Sequence, residues 1–537
     1  MKRKMRRRLL SGVMASLLAL SLAGCNTGGG AGESGGTAGT KAAAADTKET
    51  VTESDTKAAP AWTSDNDEEI TIMLFGDNTP DADNIVLQEL EKQTNTKISI
   101  IYLPFNDYKT KLGTMIASGT VPDIFYCSSL ADAADYKKNG LLANVEELLT
   151  EKAPNVMVDT KDMIYDVSVN QDGIYLVPSP AREWGDNINI RTDWLNNLGL
   201  EMPDDLESFR EVMHAFTYDD PDGDGQKDTY GYTFNLDNLT QNSGRAFQNI
   251  FGAYGIPKGK TIELEDGTVT SWVKHPKFLE AISYIKSLID DGVTEPDYVT
   301  IPQMDMFGKL WTGVAGCMEF ECVGPTNNWM PVRYTEDPVP TFDFPIVKGP
   351  DGQSGVPAVY PDLTSGWVFS ANCKNLEGAA RIADFCMSPE GSDLLFLGVE
   401  DVMYRWIDKE KGQFEYLDQY KDNATHRAAG GFCYWLLFKP SDNAQYRTLN
   451  EQTREGVKQA WDQGIDWAYI TSPSQVRIDC GADMDQVINE MIAELLSTKE
   501  DLQTIYDSYI EEWENVGGSD WEAEATEQWK EQNQQKG

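Results

Sequence analysis

The chain has 537 residues, of which 40% are hydrophobic and 25% charged, and a formal net charge of −42. That length exceeds one hydrophobic core, so two or more domains are expected. The charge disfavours nucleic acid and anionic lipid surfaces as partners, while screening over about 8 Å leaves room for a local basic pocket.

Lys2, Arg3, Lys4, Arg6, Arg7 and Arg8 precede an apolar run from Leu9 to Ala23, which ends Leu22-Ala23-Gly24-Cys25. A basic end, a short apolar middle and small residues at the cut site make an export signal. The run falls short of the ~20 residues a spanning helix needs. The cysteine after Ala-Gly resembles a bacterial lipoprotein box, which implies removal of residues 1–24 and lipidation of Cys25. The expected location is the extracellular face of the bacterial cell membrane, with contact through the lipid anchor alone, since two or more acyl chains hold stably where one does not. Residues 25–68 are Gly-, Ala-, Thr- and Lys-rich with almost no large apolar side chain, and read as a disordered tether.

Seven cysteines remain after Cys25, an odd number that argues against a full disulfide framework. Most sit among apolar or small neighbours, as buried thiols do; Cys317 and Cys322 could pair. The three histidines (His214, His275, His426) are not at metal-ligand spacing.

Ile70 to Phe75 reads as a strand stopped by Gly76-Asp77-Asn78. A helical pattern follows through Ile85, Leu87 and Leu90, then a strand from Ile98 to Leu103. A helix from about Asn106 and a strand from Asp123 to Tyr126 come next. Strand–helix–strand–helix–strand predicts a parallel α/β sheet, whose ligands lie at the carboxyl ends of strands. That topology brings Phe75, Asp77, Ser128 and Ser129 together. Further helices are predicted around Phe278–Ile289, Met484–Leu495 and residues 499–513, and residues 516–537 read as a polar C-terminal tail or terminal helix.

Several segments together resemble the extracellular solute-binding proteins of bacterial ABC importers, of the lipoprotein branch associated with sugars and oligosaccharides. Ser118-Gly119-Thr120-Val121-Pro122-Asp123 resembles that family's S-G-x-x-P-D motif. Gly140 to Val145 is similar to its G-x-L-x-x-L segment, and Asp172 to Pro178 to the strand that leads between lobes. Arg191-Thr192-Asp193-Trp194-Leu195 through Gly199 resembles its R-K-D-W-L-x-x-L-G helix, and Lys374 through Gly391 its K-N-P-E-A-A…S-x-E-G stretch. Gln171-Asp172-Gly173 departs from the usual Gly-Lys, and Ala424 to Trp435 matches no pattern, so ligand identity does not transfer. The resemblance implies an α/β, two-lobe periplasmic-binding-protein-like (type II) fold with a hinged central cleft. One lobe is expected from 69–178 with 346–400, the other from 179–345 with 401–515. The implied function is capture of a carbohydrate, expected to be an oligosaccharide, by a monomer that delivers it to ABC permease subunits without breaking a bond. The rival readings are a surface carbohydrate hydrolase or lyase and a peptide-binding or adhesive lipoprotein.

Asp220-Pro221-Asp222-Gly223-Asp224-Gly225-Gln226-Lys227-Asp228 matches the first nine positions of a calcium loop. Asp220, Asp222, Asp224, Asp228 and the Gln226 carbonyl are the expected ligands of a structural Ca2+, against an acidic solvated turn. Gly231 stands where the usual bidentate Glu would be. Sugar rings stack on aromatic planes while polar groups take their hydroxyls, and the chain holds 14 Trp, 22 Tyr and 19 Phe. Those at switch positions are the candidates: Arg182 and Trp184 after the crossing strand, Trp329 in the Gly324–Pro331 loop, and Tyr360 and Trp367 around the return to the first lobe. Trp194 reads as core. Glu319, with Glu321 across Phe320, could accept sugar hydroxyls or form the carboxylate pair of a glycosidase.

Overall fold

A computed structural model describes residues 62, 68–76, 79–180, 184–241, 244–321, 340–360 and 362–536. The leader, Cys25, Asp77, Arg182, Cys322 and Trp329 lie outside these residues. Among the described residues no helix is long and apolar enough to cross a membrane.

In chain order the strands that organise the molecule are β1 (Ile70–Phe75), β2 (Ile98–Leu103), β3 (Ile124–Cys127), β4 (Leu176–Ser179), β5 (Asn187–Arg191), β6 (Tyr230–Tyr232), β7 (Thr261–Glu263), β8 (Val269–Ser271), β9 (Ala315–Phe320), β10 (Phe342–Asp343), β11 (Val356–Pro357) and β12 (Asp362–Phe369). The first sheet has the order β2-β1-β3-β12-β4 and the second β10-β5-β9-β6. β1 runs parallel to β2 and β3, whereas β12 is antiparallel to both β3 and β4.

Alternation along each strand sends side chains to both faces. Ile70, Ile72, Leu74, Ile124, Val177 and Phe369 enter one core of the first sheet, and Met73, Phe125, Cys127, Leu176 and Val368 the other. Gly366 is required here: a Cβ would stand 2.5 Å from the Val177 carbonyl oxygen on the neighbouring strand. The second sheet packs Ile188 and Ile190 against Trp194, Phe209, Phe216, Ile282 and Ile285, with Met484, Ile488 and Ile492 from the long helix Gln475–Ser497. Trp194 is buried, as a core residue should be.

Three segments pack differently from the expected partition. Met403, Cys433, Tyr434, Leu437 and Phe438 join the first sheet's core, so residues 401 to about 440 belong with the first lobe. Their aromatic and aliphatic side chains cover Trp367 and Phe369, a face that would otherwise be bare. Val347 joins the second core and β11 pairs with Gly464–Ile465, which keeps residues 346–357 with the second lobe. The expected polar tail or terminal helix at 516–537 is a helix, Ser519–Lys536, and it is docked. Trp521, Ala525 and Trp529 recur every four residues and share one face. That face packs on Val269 and Ala468, Thr526 Oγ1 accepts from the Val269 amide at 2.9 Å, and Trp529 Nε1 donates to Glu263 at 2.9 Å.

The register fixes which ends of the sheets meet. Cys127, ending β3, pairs with Gly366, and Ser179, ending β4, pairs with Asp362. The ends of β1, β3 and β4 and the start of β12 therefore share one edge. In the second sheet Asn187, starting β5, pairs with Phe320, ending β9, and β6 runs parallel to β9. The chain passes from Ser179 to Asn187 in eight steps, so the two edges lie at most roughly 30 Å apart.

Candidate functional site

The first edge is aromatic and hydroxylic. The Phe75 ring meets Tyr108 at 5.0 Å and Tyr126 at 5.6 Å, both edge-on. The Tyr108 hydroxyl donates to the Tyr126 carbonyl and accepts from its amide at 2.8 Å, which locks both rings to the end of β3. The Tyr126 hydroxyl lies 2.5 Å from Ser365 Oγ, where the pairing of β12 shifts register between Asp362 and Trp367. Such an irregularity re-aims side chains at a strand's rim. Ser128 is exposed. Ser129 caps the helix Leu130–Lys138 by accepting from the Asp132 amide at 3.1 Å, so its hydroxyl is already engaged.

The second edge is charged and amide-rich. Arg245 Nη1 stands 3.0 Å from Asp186 Oδ1 and 2.5 Å from Glu321 Oε1, with its guanidinium 5.0 Å over the Phe320 ring. Glu319 lies behind this group. Its Oε2 accepts from the Asn249 amide at 2.8 Å and from Asn249 Nδ2 at 3.3 Å. Burial pushes Glu319 up to about 8, against the downward pull of those hydrogen bonds. Lys258 is fully buried and donates to the carbonyls of Gln241 (3.3 Å) and Gly244 (2.6 Å). Burial brings it down to about 7, opposed by the charges of Asp186 and Glu319.

The structure thus brings together Phe75, Ser128 and Ser129 and sets Glu319 behind the opposite edge. Three sequence candidates occupy other places. Glu319 is 3% exposed and supports Asn249 instead of facing solvent. Trp367 is 2% exposed, packs edge-on to Tyr126 at 5.4 Å and donates through Nε1 to the Leu436 carbonyl. Trp184 is buried with Phe344, Leu449 and Val457 at the crossing between sheets. Large aromatics at a crossover are drawn into the nearest core because each removes 150–250 Å2 of mostly apolar surface from water, roughly. Tyr360 stays half-exposed: its ring lies parallel to Tyr469, 6° off and 5.3 Å away, and its hydroxyl donates to Asp466 at 2.9 Å. Sequence reasoning missed Asp186, Arg245, Asn249 and Lys258. The one cue was Asp186 following the Trp184 candidate, and an isolated Arg after Ser243-Gly244 carries no local pattern.

In the acidic loop, carboxylate oxygens of Asp220, Asp222 and Asp224 lie within 4.8 Å of one another. Gly223 and Gly225 take left-handed φ of 74° and 80°, the sharp turns expected there. Asp220 Oδ1 is buried without a hydrogen-bond donor among the described residues. Burial, then the Asp224 and Asp220 charges, raise the Asp222 carboxyl. An uncompensated, converging set of hard oxygens fits a calcium ion. Asp228 is exposed and outside this trio, and the Gln226 side chain donates to Asp224 at 2.9 Å. Cys317 is a buried free thiol.

The family described as bacterial extracellular solute-binding protein matches residues 76–393. Among curated relatives, the fructooligosaccharide ABC transporter substrate-binding protein FusA of Streptococcus pneumoniae serotype 4 is 26% identical over 377 residues, 65% of each chain. Lipoprotein LipO of Bacillus subtilis is 30% identical over 253 residues, 45% of this chain and 48% of LipO. The polygalacturonan/rhamnogalacturonan-binding protein YtcQ of Bacillus subtilis is 27% identical over 284 residues, 50% of this chain and 53% of YtcQ. The match thus spans less than two thirds of each relative. Solved structures of FusA with kestose, and of its EF-hand mutant with fructo-nystose, each superpose with a TM-score of 0.65 at 21% identity. Each covers 87% of this chain and 100% of that one. The shared fold is the two-lobe α/β arrangement that the edges and crossings above describe, and the family match extends over more than half of the sequence. The chain belongs to the bacterial extracellular solute-binding protein family.

Proposed function

We propose that this protein is the solute-binding component of an ABC importer and that it captures an oligosaccharide between the two sheet edges. The observation that carries the reading is their complementarity. One edge offers the half-buried ring of Phe75 with Tyr126 and exposed Ser128, and the other offers Arg245 held between Asp186 and Glu321. Rings suit the apolar faces of sugars, and the charged groups suit their hydroxyls. The names of FusA and YtcQ, both glycan binders, support the same class.

The work is differential affinity. A ligand that touches both edges favours the closed form, and permease subunits read closure. No bond is broken: the role is capture and delivery. Lipid on Cys25 would hold the chain at the extracellular face of the membrane, with the residues before Trp62 as tether, since Trp62 packs on the first core under Lys152 and Arg381. Calcium on Asp220, Asp222 and Asp224 would pin the turn between the helix Leu206–Tyr218 and β6, remote in sequence from both edges.

The test is thermal unfolding of the purified chain against a panel of oligosaccharides, with calcium and with chelator, followed by recovery of the glycan. A saturable rise in Tm for some glycan, recovered intact, is the expected result. A shift with peptides alone would overturn the sugar assignment, and cleaved glycan would overturn the importer role.

A further inference from the structure

Residues 466–473 belong to no strand, so their backbone groups need partners from elsewhere. The C-terminal helix Ser519–Lys536 supplies many of them. Glu524, Gln528 and Gln532 stand four residues apart, on one face of that helix. Glu524 accepts from the Ser474 hydroxyl and from the amides of Gln475 (2.9 Å) and Val476 (3.4 Å). Gln528 Nε2 donates to the Pro473 carbonyl at 2.9 Å. Gln532 grips hardest. Its Oε1 accepts from the Thr471 amide and hydroxyl, both at 3.0 Å, and its Nε2 donates to the Tyr469 carbonyl at 2.8 Å.

The held segment in turn holds the crossing between the lobes. Its own place is in the second lobe, where the Ala468 amide donates to the Thr261 carbonyl of β7 at 2.9 Å. Gly464 and Ile465 pair with β11, and the Ile465 carbonyl accepts from the Ala358 amide at 2.9 Å. Trp467 Nε1 donates to the Ala358 carbonyl at 2.8 Å, and Asp466 takes the Tyr360 hydroxyl. Tyr469 reaches furthest: its ring lies parallel to Tyr360, and its hydroxyl accepts from the Leu363 amide at 2.8 Å. Leu363 lies on β12, which belongs to the first sheet. A second-lobe side chain therefore bonds the backbone of the first lobe just where the chain crosses. Lobe rotation is absorbed by a few backbone torsions at such crossings, so it must break this bond or carry Tyr469 with it. Tyr469 is fixed from behind by Gln532.

We infer that the C-terminal helix is a brace on the hinge: through Gln532 and Tyr469 it restrains the β11–β12 crossing and so limits the range of lobe angles. This rests on the two-lobe fold and is independent of which solute is bound.

The experiment follows hydrogen exchange of the purified, ligand-free chain by mass spectrometry, in peptides covering Ala358, Leu363 and Thr471. In parallel, spin labels on non-natural side chains at Lys111 and Glu211, exposed helix positions on the two lobes, report the distance distribution between lobes. Gln532→Ala should speed exchange about tenfold or more at Thr471 and also at Leu363, which Gln532 does not bond, and should broaden the distance distribution. Tyr469→Phe removes one oxygen and keeps the stacked ring. It should speed Leu363 and broaden the distribution while Thr471 stays protected. The Tm of each variant reports folding, and the second variant carries the test if the first does not fold. Wild-type exchange at Leu363 in either folded variant would overturn the inference. So would an unchanged distance distribution, since the helix would then only cover β7 and β8. Neither result would touch the binding role, because no ligand is present.

Discussion

Glu319→Gln tests whether the buried carboxyl behind the second edge is neutral in the folded protein. The native group titrates near 8 because burial disfavours its charge, whereas in the unfolded chain it returns to about 4.3. A raised folded pKa means that its contribution is fully present below about pH 4.3 and is lost as pH rises toward 8. In that window the unfolded state releases the proton and the folded state keeps it. The loss runs at about 1.4 kcal/mol per pH unit, which amounts to on the order of 4 kcal/mol by pH 7. Gln can still accept from the Asn249 amide through its oxygen but does not titrate. The two proteins should therefore be of similar stability at pH 5, and the variant should gain on the wild type by roughly 1 kcal/mol per unit up to pH 8. Lys258 has the opposite sense. Its lowered pKa means stability that is lost as pH falls from about 10.4 to 7, so it adds little slope below pH 7. The assay is urea unfolding of both proteins at half-unit steps from pH 5 to 8, with the m-value monitored for change in the unfolded state. Parallel curves of stability against pH would refute the reasoning, because they would mean that Glu319 is ionised in the native protein.

Asp220→Asn should abolish the calcium-dependent rise in Tm, which at 100 times Kd amounts to about 2.7 kcal/mol; in chelator the variant should match or exceed the wild type, because one of three crowded carboxylates is gone. Trp367→Ala should cost about 3–5 kcal/mol by denaturant unfolding, as core aromatic truncations do, while the folded fraction keeps its glycan affinity. Phe75→Ala should do the reverse, weakening glycan binding about tenfold in titration calorimetry, in line with aromatic contacts of about 0.5–1.5 kcal/mol, with a smaller change in Tm. Trp529→Ala, on the C-terminal helix, should lower Tm by roughly 2–6 °C through about 1–2 kcal/mol of lost burial; an unchanged Tm would mean that the helix is not docked on β7 and β8.

Local pattern carried much of the fold. The apolar runs Ile70–Phe75 and Ile98–Leu103 are strands at those residues, and Phe278, Ile282 and Ile285 are buried on the helix Phe278–Asp290, with Ile289 half-buried on the same face. Gly223 and Gly225 in the acidic loop turn where an oxygen cage needs turns. These readings succeed because each depends on neighbours within one or two turns of chain. The candidate site was only half legible. Strand-end topology located Phe75, Ser128 and Ser129, since the carboxyl edge of a parallel sheet follows from element order alone.

Long-range packing decided the rest. Trp367 and Phe75 are both aromatics on strands of one sheet, yet Phe438 and the Leu436 carbonyl, some seventy residues on, draw Trp367 inside. Asp186, Arg245 and Glu321 are separated by 59 residues or more and converge only because β5 lies antiparallel to β9 with Asn187 opposite Phe320. The sequence by itself determined the elements, the acidic loop and the family, because periodicity, turn chemistry and motif order are written in consecutive residues. Which aromatics remain at an edge, and which acids hold the arginine, only the tertiary structure decided. Burial and ion pairing depend on what the folded chain brings within a few ångströms, and spacing along the sequence does not encode that.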